Sequence, residues 1–295
     1  MIIFSRIQEL ENHLIIAKNA KKRVGFVPTM GALHEGHLAL VEQSKRETDI
    51  TICSIFVNPT QFNDLSDLEK YPRTLETDAQ LLEKVNCDVI FAPAVSEMYT
   101  EAELALKKQG AEDRSWAEGT TIDFGKLDKV MEGAHRKGHF NGVCQVVSKL
   151  FRIVKPEKAY FGQKDFQQLA IVRSMTKQLE LDIEIVGCPI VRERDGLAMS
   201  SRNVRLSNTE RNVASLISRT LFKVKEMQTT HSIAELKKFA EAEIKKEPLM
   251  QLEYFEISNS ETLEAITENT QAKSAVACIA LKLGSVRLID NIILF

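Results

Sequence analysis

A chain of 295 residues, 44% hydrophobic and 27% charged, can bury a substantial core, and its length favours one large and one smaller domain over a single unit. The formal charge of −2, with lysine and arginine scattered along the chain, argues against a general nucleic-acid or membrane-surface partner but leaves room for a local basic pocket. Five widely spaced cysteines with no C-x-x-C pair suggest neither a disulfide framework nor a zinc knuckle, and with no signal-peptide pattern or membrane-length apolar run the cytoplasm is the expected compartment.

In chain order, residues 23–27 form a short apolar run that stops at Pro28 and reads as a strand. A helix is expected from about Gly36 to Lys45, followed by a β-branched, nearly continuous apolar run at 50–57, as in a strand covered on both faces. Residues 62–73 are polar and lie before the next helix, the composition of a mobile lid. Residues 89–91, 159–161 and 183–186 repeat the strand pattern, while 101–119 lacks any period and reads as a surface insertion. Val143, Val146, Val147, Leu150, Phe151 and Val154 mark one face of a helix, and Leu169, Val172, Thr176 and Leu179 mark another. Such alternation predicts a parallel, doubly wound α/β sheet. Beyond Gly187 the pattern changes to two capping boxes, Ser207/Glu210 and Ser232/Glu235, and then strand-like runs at 252–257, 275–283 and 286–289, spaced for an antiparallel sheet. The expected division is 1–188 for the nucleotide-binding part and 189–295 for a smaller α+β lid domain.

Four segments carry chemistry. Pro28-Thr29-Met30-Gly31-Ala32-Leu33-His34-Glu35-Gly36-His37 joins a strand to a helix, where helix N–H groups meet phosphates at the carboxyl edge of a parallel sheet. It lacks the lysine and hydroxyl of a P-loop. His34 and His37 share a helical face and could donate hydrogen bonds to charge developing on phosphate; metal ligation and plain surface exposure are the alternatives. Gly162-Gln163-Lys164-Asp165 again follows a strand, with a glycine to permit the turn, a point charge for phosphate and a carboxylate for a ribose hydroxyl. Met199-Ser200-Ser201-Arg202, after the Asp195-Gly196 turn, could clamp a leaving pyrophosphate, and Asn58 and Gln61 end the second strand with amides suited to a polar substrate.

The Met-Gly-x-x-His-x-Gly-His turn and Met199–Arg202 resemble the two phosphate-binding signatures of the nucleotidyltransferase superfamily. Blocks at 27–37, 56–62, 71–73, 138–140, 162–168, 199–203 and 288–291 together resemble one family, the pantothenate synthetases (pantoate–β-alanine ligases), over nearly the whole chain. The resemblance implies a Rossmann-like domain with a smaller C-terminal domain, and usually a homodimer. It implies an AMP-forming reaction in which pantoate and Mg-ATP give pantoyl adenylate and pyrophosphate, and β-alanine then gives pantothenate and AMP for coenzyme A synthesis. By position, residues 30–37 would line the ATP phosphates, with His37 the residue usually assigned as acid. Gly162 to Asp165, Val191 and Met199 to Arg202 would hold nucleotide, and Gln61 and Gln168 would hold pantoate. Asn58, Arg136 and His139 would surround the same cavity. The residue chemistry favours His34, His37, Lys164 and Arg202 as stabilisers of transition-state charge, and Mg²⁺ carried on phosphate oxygens, since the sequence offers no compact carboxylate cluster. Lys137 and Arg205 depart from the family's usual proline and tyrosine. Two other readings remain: a nucleotidyltransferase that joins AMP to a phosphorylated acceptor, and a catalytically silent nucleotide- or RNA-binding module.

Overall fold

Six short apolar runs pair into one parallel sheet in the computed structural model, which describes residues 1–62, 65–108, 122–268 and 272–295. The strands are β1 (Ile2–Phe4), β2 (Val24–Thr29), β3 (Ile50–Ile55), β4 (Val89–Phe91), β5 (Lys158–Gly162) and β6 (Glu184–Cys188), in the order β1-β4-β3-β2-β5-β6. The helices that cover them are α1 (Ile7–Asn19), α2 (Glu35–Glu47), α3 (Leu65–Lys70), α4 (Leu75–Lys84), α5 (Val95–Met98), α6 (Glu101–Lys108), α7 (Met131–His135), α8 (His139–Val154) and α9 (Phe166–Gln178). Alternate strand residues face opposite layers. Phe26 and Ile52 pack with Leu10 of α1 and with Val143 and Val147 of α8, while Val27, Cys53 and Ile90 pack with Leu38 and Val41 of α2 and Leu82 of α4. Burial on both faces explains why these strands read as continuous apolar runs.

The chain leaves β2 for β3 on one side and later crosses to β5 on the other. β2 pairs with all of β3 but meets β5 only through Gly25 and Phe26, so the two strands part and open a crevice at their carboxyl ends. Pro28 does not end the strand as expected. It lies beyond the last β2–β5 pair, where no neighbour on that side needs its missing N–H, and it stays in register with Ser54. The N-terminal run, not expected as a strand, is β1 at the sheet edge beside β4. Within the expected 101–119 insertion, Glu101–Lys108 is helical, and Glu103 pairs with Lys149 of α8; residues 109–119 lie outside the described residues.

The C-terminal part contains α10 (Asn208–Ala214), α11 (Leu216–Met227), α12 (Ile233–Lys245) and the antiparallel strands β7 (Met250–Asn259), β8 (Ala275–Leu283) and β9 (Val286–Ile293). Both capping boxes form as expected, with the Ser207 and Ser232 side chains accepting from Glu210 and Glu235 N–H. One face of β8, with Ile279 and Leu281, packs on Ile217, Leu221 and Leu236 of the helices. The other face, with Val276 and Cys278, packs on Met131 of α7 and on Phe166 of α9, which seats this sheet beside the crevice. All five cysteines are buried free thiols.

Candidate active site

At the crevice, the structure forms a cavity of about 210 Å³. Val143, Val146, Val147 and Leu150 of α8, with Phe56 and Phe161, give it an apolar wall. The turn after β2 shapes the opposite side. Gly31 and Ala32 both take left-handed backbone angles, φ 81° and 50°, which an alanine adopts only when its surroundings hold it there. The support is Asp78 of α4, 1% exposed, whose carboxylate accepts the Ala32 and Leu33 N–H groups at 3.0 and 2.8 Å.

This turn delivers His34 as the cap of α2. His34 Nδ1 accepts the Gly36 N–H at 3.1 Å, and His37 Nδ1 accepts the His34 N–H at 3.3 Å. A side chain at position 36 would put its Cβ 2.8 Å from the His34 ring, so glycine is required for the capping itself. The rings lie 4.1 Å apart through this exchange of caps and not through a shared helical face. The expected amide donors are largely consumed, since Gly36 N–H goes to the His34 ring and His37 N–H to the His34 carbonyl. Because both Nδ1 atoms accept, the ring protons sit on Nε2. Burial, then the Lys164 charge, lowers His34 to about 4; burial, then His34 and Lys164, holds His37 well below the ordinary histidine range. Both are neutral near pH 7 and offer Nε2–H donors in place of the backbone.

Gln61 sits on a short 3₁₀ turn, Pro59–Gln61, after β3. Its Nε2 donates to Met30 Sδ at 2.9 Å, its Oε1 accepts from Asn58 Nδ2 at 3.1 Å, and its carbonyl accepts from His139 Nδ1 at 2.9 Å. Asn58, 1% exposed, also donates to the Gly142 carbonyl and accepts from Thr60 and Tyr99. It therefore positions Gln61 and has little capacity left for a ligand. His139 acts likewise; burial, then Arg136, lowers it to about 4, so the neutral ring donates from Nδ1. Gln168 lines the same cavity, and its amide has no protein partner among the described residues.

The charged end combines two loops. Lys164 and Asp165 follow β5, their charges 3.6 Å apart. Gly162 takes an ordinary extended backbone, φ −72°, with nothing within 4 Å of where a Cβ would stand, so its glycine leaves room and is not needed for the expected turn. Residues 191–199 form a hairpin around Asp195-Gly196, joined by the Met199 N–H to the Val191 carbonyl at 3.0 Å. The C-terminal sheet fixes both loops. Asn291 Nδ2 donates to the carbonyls of Gln163 and Lys164 at 2.9 Å each, and Asp290, buried on β9, receives Arg192 bidentately at 2.7 and 3.0 Å. Arg202 reaches Asp67 of α3 at 3.2 Å, and Tyr71 lines the cavity together with Ser201.

The structure thus brings Met30, His34, Gly36, His37, Asn58, Gln61, Gly162, Lys164, Asp165, Gln168, Val191, Met199, Ser200, Ser201 and Arg202 to one cavity. It leaves Gly31, Ala32, Leu33, Glu35 and Gln163 off its wall. Gly31, Ala32 and Leu33 serve the turn on Asp78, Glu35 is exposed on α2, and Gln163 Nε2 donates to Asn291 at 3.3 Å. Arg136 lines the adjoining crevice and a small cleft behind it, with His139 only in the latter. Sequence reasoning did not single out Asp78, Asp67, Tyr71 or Asp290 as site residues. Only the family-like blocks at 71–73 and 288–291 pointed near any of them.

Fold and cleft together define a class: doubly wound α/β proteins with a cleft at the switch point of a parallel sheet, lined by loops from both sides. The family model described as pantoate-beta-alanine ligase matches residues 2–293. A pantothenate synthetase of Bacteroides fragilis is 52% identical over 99% of this chain and 98% of its own, and one of Phocaeicola vulgatus is 52% identical over 99% of each. Among solved structures, the Thermus thermophilus pantothenate synthetase superposes with a TM-score of 0.87 at 42% identity, covering 99% of both chains. The Francisella tularensis pantoate-beta-alanine ligase, complexed with beta-gamma ATP and beta-alanine, gives 0.74 at 32% identity, covering 99% of this chain and 97% of that one. The chain belongs to the pantoate–β-alanine ligase family.

Proposed function

We propose that this chain performs its family's reaction in a cleft divided between a neutral and a charged end. It is an AMP-forming ligase that condenses pantoate with β-alanine at the expense of ATP. The observation that carries the site assignment is that one cavity is lined at once by His34, His37, Gln61, Gln168, Lys164 and Arg202. In the first step a pantoate carboxylate oxygen attacks the α-phosphorus, and the bond to the β-phosphate's bridging oxygen breaks. Lys164, Arg202 and the two Nε2–H donors offset the charge that moves onto pyrophosphate. A neutral imidazole suits hydrogen bonding better than proton donation, and magnesium pyrophosphate leaves without a proton, so His37 stabilises charge and is not the acid. Gln61, held from three sides, and Gln168 read the pantoate oxygens, and the α8 wall takes its methyls. In the second step the β-alanine nitrogen attacks the acyl carbonyl and AMP leaves.

Mg²⁺ enters with the nucleotide on phosphate oxygens in this reading; among the described residues no three histidine, cysteine or acidic side chains converge as a metal site. Residues 1–188 form the substrate-binding domain and 189–295 the domain that braces its phosphate loops. The chain works as a cytoplasmic homodimer with no nucleic-acid or membrane partner; among the described residues no helix is long and apolar enough to cross a membrane. Ile2, Ile3, Ile15 and Ile16 leave an apolar surface at the β1 edge and on α1 that supports self-association. The test is AMP formation from ATP with pantoate, with and without β-alanine. AMP release is expected only with both, because the adenylate stays enclosed until an amine arrives. Equal release with glycerol phosphate or a mononucleotide acceptor overturns the ligase reading.

A further inference from the structure

A second crevice, of about 300 Å³, continues from the charged end of the cavity and shares Lys164, Asp165, Ser200 and Arg202 with it. Beyond those residues its walls carry Lys70, Arg136, Arg205 and Arg287. Its acidic residues are fewer than its cations and are paired: Glu132 with Arg287 and, at 3.6 Å, with Arg136, Asp165 with Lys164 at 3.6 Å, and Asp290 with Arg192. Glu132 accepts Arg287 bidentately at 2.6 and 2.7 Å, and Asp290 is taken by Arg192, which does not line the crevice. The remaining cations crowd one another; burial, then the opposing pulls of Glu132 and the neighbouring Arg202 and Arg287, leaves Arg136 below its ordinary value. Two of these cations converge on a single carboxylate. Asp67 of α3 accepts Arg202 at 3.2 Å on one oxygen and Arg205 at 3.5 Å on the other. Two guanidinium groups set around one oxyanion are a preformed diphosphate or phosphate grip, with Asp67 as its resident occupant.

We propose that this crevice is a second oxyanion subsite that receives pyrophosphate after adenylation, and that its entry displaces Asp67 and so unlatches α3. This rests on the ligase reading. Pyrophosphate moves from Lys164 and Arg202 to Arg202, Arg205 and Arg136 without crossing the apolar wall, and the adenylate stays in the cavity. Asp67 competes with it for the same arginines, so the two residues of the latch affect binding with opposite sign.

The test titrates pyrophosphate into the full chain saturated with a non-hydrolysable sulfamoyl mimic of the acyl adenylate, with hydrogen exchange followed at residues 65–70. Arg205→Ala should weaken pyrophosphate about fivefold, Arg205→Lys less, and Asp67→Asn should tighten it about threefold, the scale of single charged contacts at half-exposed sites. Exchange in α3 should rise as pyrophosphate binds the wild-type chain. Shifts of the two variants in the same direction, changes under about 1.5-fold in both, unaltered α3 exchange, or sulfate bound as tightly as pyrophosphate each overturn the subsite. If the mimic itself fails to bind the wild-type chain, the ligase reading falls first and the subsite with it.

Discussion

At the α2 end of the cleft the polar groups are neutral, and at the hairpin end they are charged. Gln61 and Gln168 share the cavity with the apolar face of α8, and His34 and His37, kept unprotonated chiefly by burial, stand within reach of the Lys164 charge that also lowers them. Lys164 and Arg202 stand on loops braced by β9 and open to the basic crevice. The difference follows from solvent. A desolvated wall disfavours ions and rewards neutral donors already aimed by hydrogen bonds, whereas phosphate charge needs cations that water and acidic partners keep tolerable.

The comparison breaks most directly at the charged end. Lys164→Ala should slow single-turnover pyrophosphate release by at least ~100-fold, or about 2.7 kcal/mol, while the protein stays folded. A loss below about tenfold would take Lys164 out of the phosphate site. At the neutral end, Gln61→Ala and Gln168→Ala should each cost about 1–3 kcal/mol in pantoate use, measured by varying pantoate at saturating ATP, with ATP affinity nearly unchanged. A defect confined to the ATP KM would reverse the assignment of the two ends.

Acid should expose the neutral end through stability. His34 and His139 lie near 4 in the folded chain against an ordinary 6.5, so between those values the unfolded chain binds protons that the folded one refuses. Their contribution, full above about pH 6.5, should be lost progressively as pH falls to about 4. Urea titrations across that range should show the decline, and His139→Gln should make it shallower. The smallest effect sharpens the charged end. Raising salt from roughly 50 to 500 mM should raise the ATP KM about two- to threefold through screening, with a lesser change for pantoate. Equal sensitivity of the two substrates would argue against the segregation of charge.

Much of the local architecture was legible in the residues. The period of Val143, Val146, Val147, Leu150, Phe151 and Val154 marks the buried face of α8, and Ser207/Glu210 and Ser232/Glu235 mark two real helix starts. The cluster of glycines and histidines at 31–37 located the β2–α2 turn. Its working parts were less legible. The turn depends on Asp78, 45 positions beyond Leu33, and the 163–164 loop on Asn291, more than a hundred positions away. Asn291 falls in the family-like block 288–291, but neither residue's role is legible along the chain, because a hydrogen bond from a distant element leaves no period in the sequence.

By itself, then, the sequence determined what depends on neighbours along the chain: which segments are strands or helices, where several helices begin, and where turns join strand to helix. Spacing, capping residues and glycine set those choices within a few positions. Tertiary structure decided the edge position of β1, the passage of β2 through Pro28, the assignment of Asn58 and His139 to hold Gln61, and the protonation of the histidine pair. These rest on desolvation and on partners far apart in sequence, and both exist only once the sheet has closed the cleft around them.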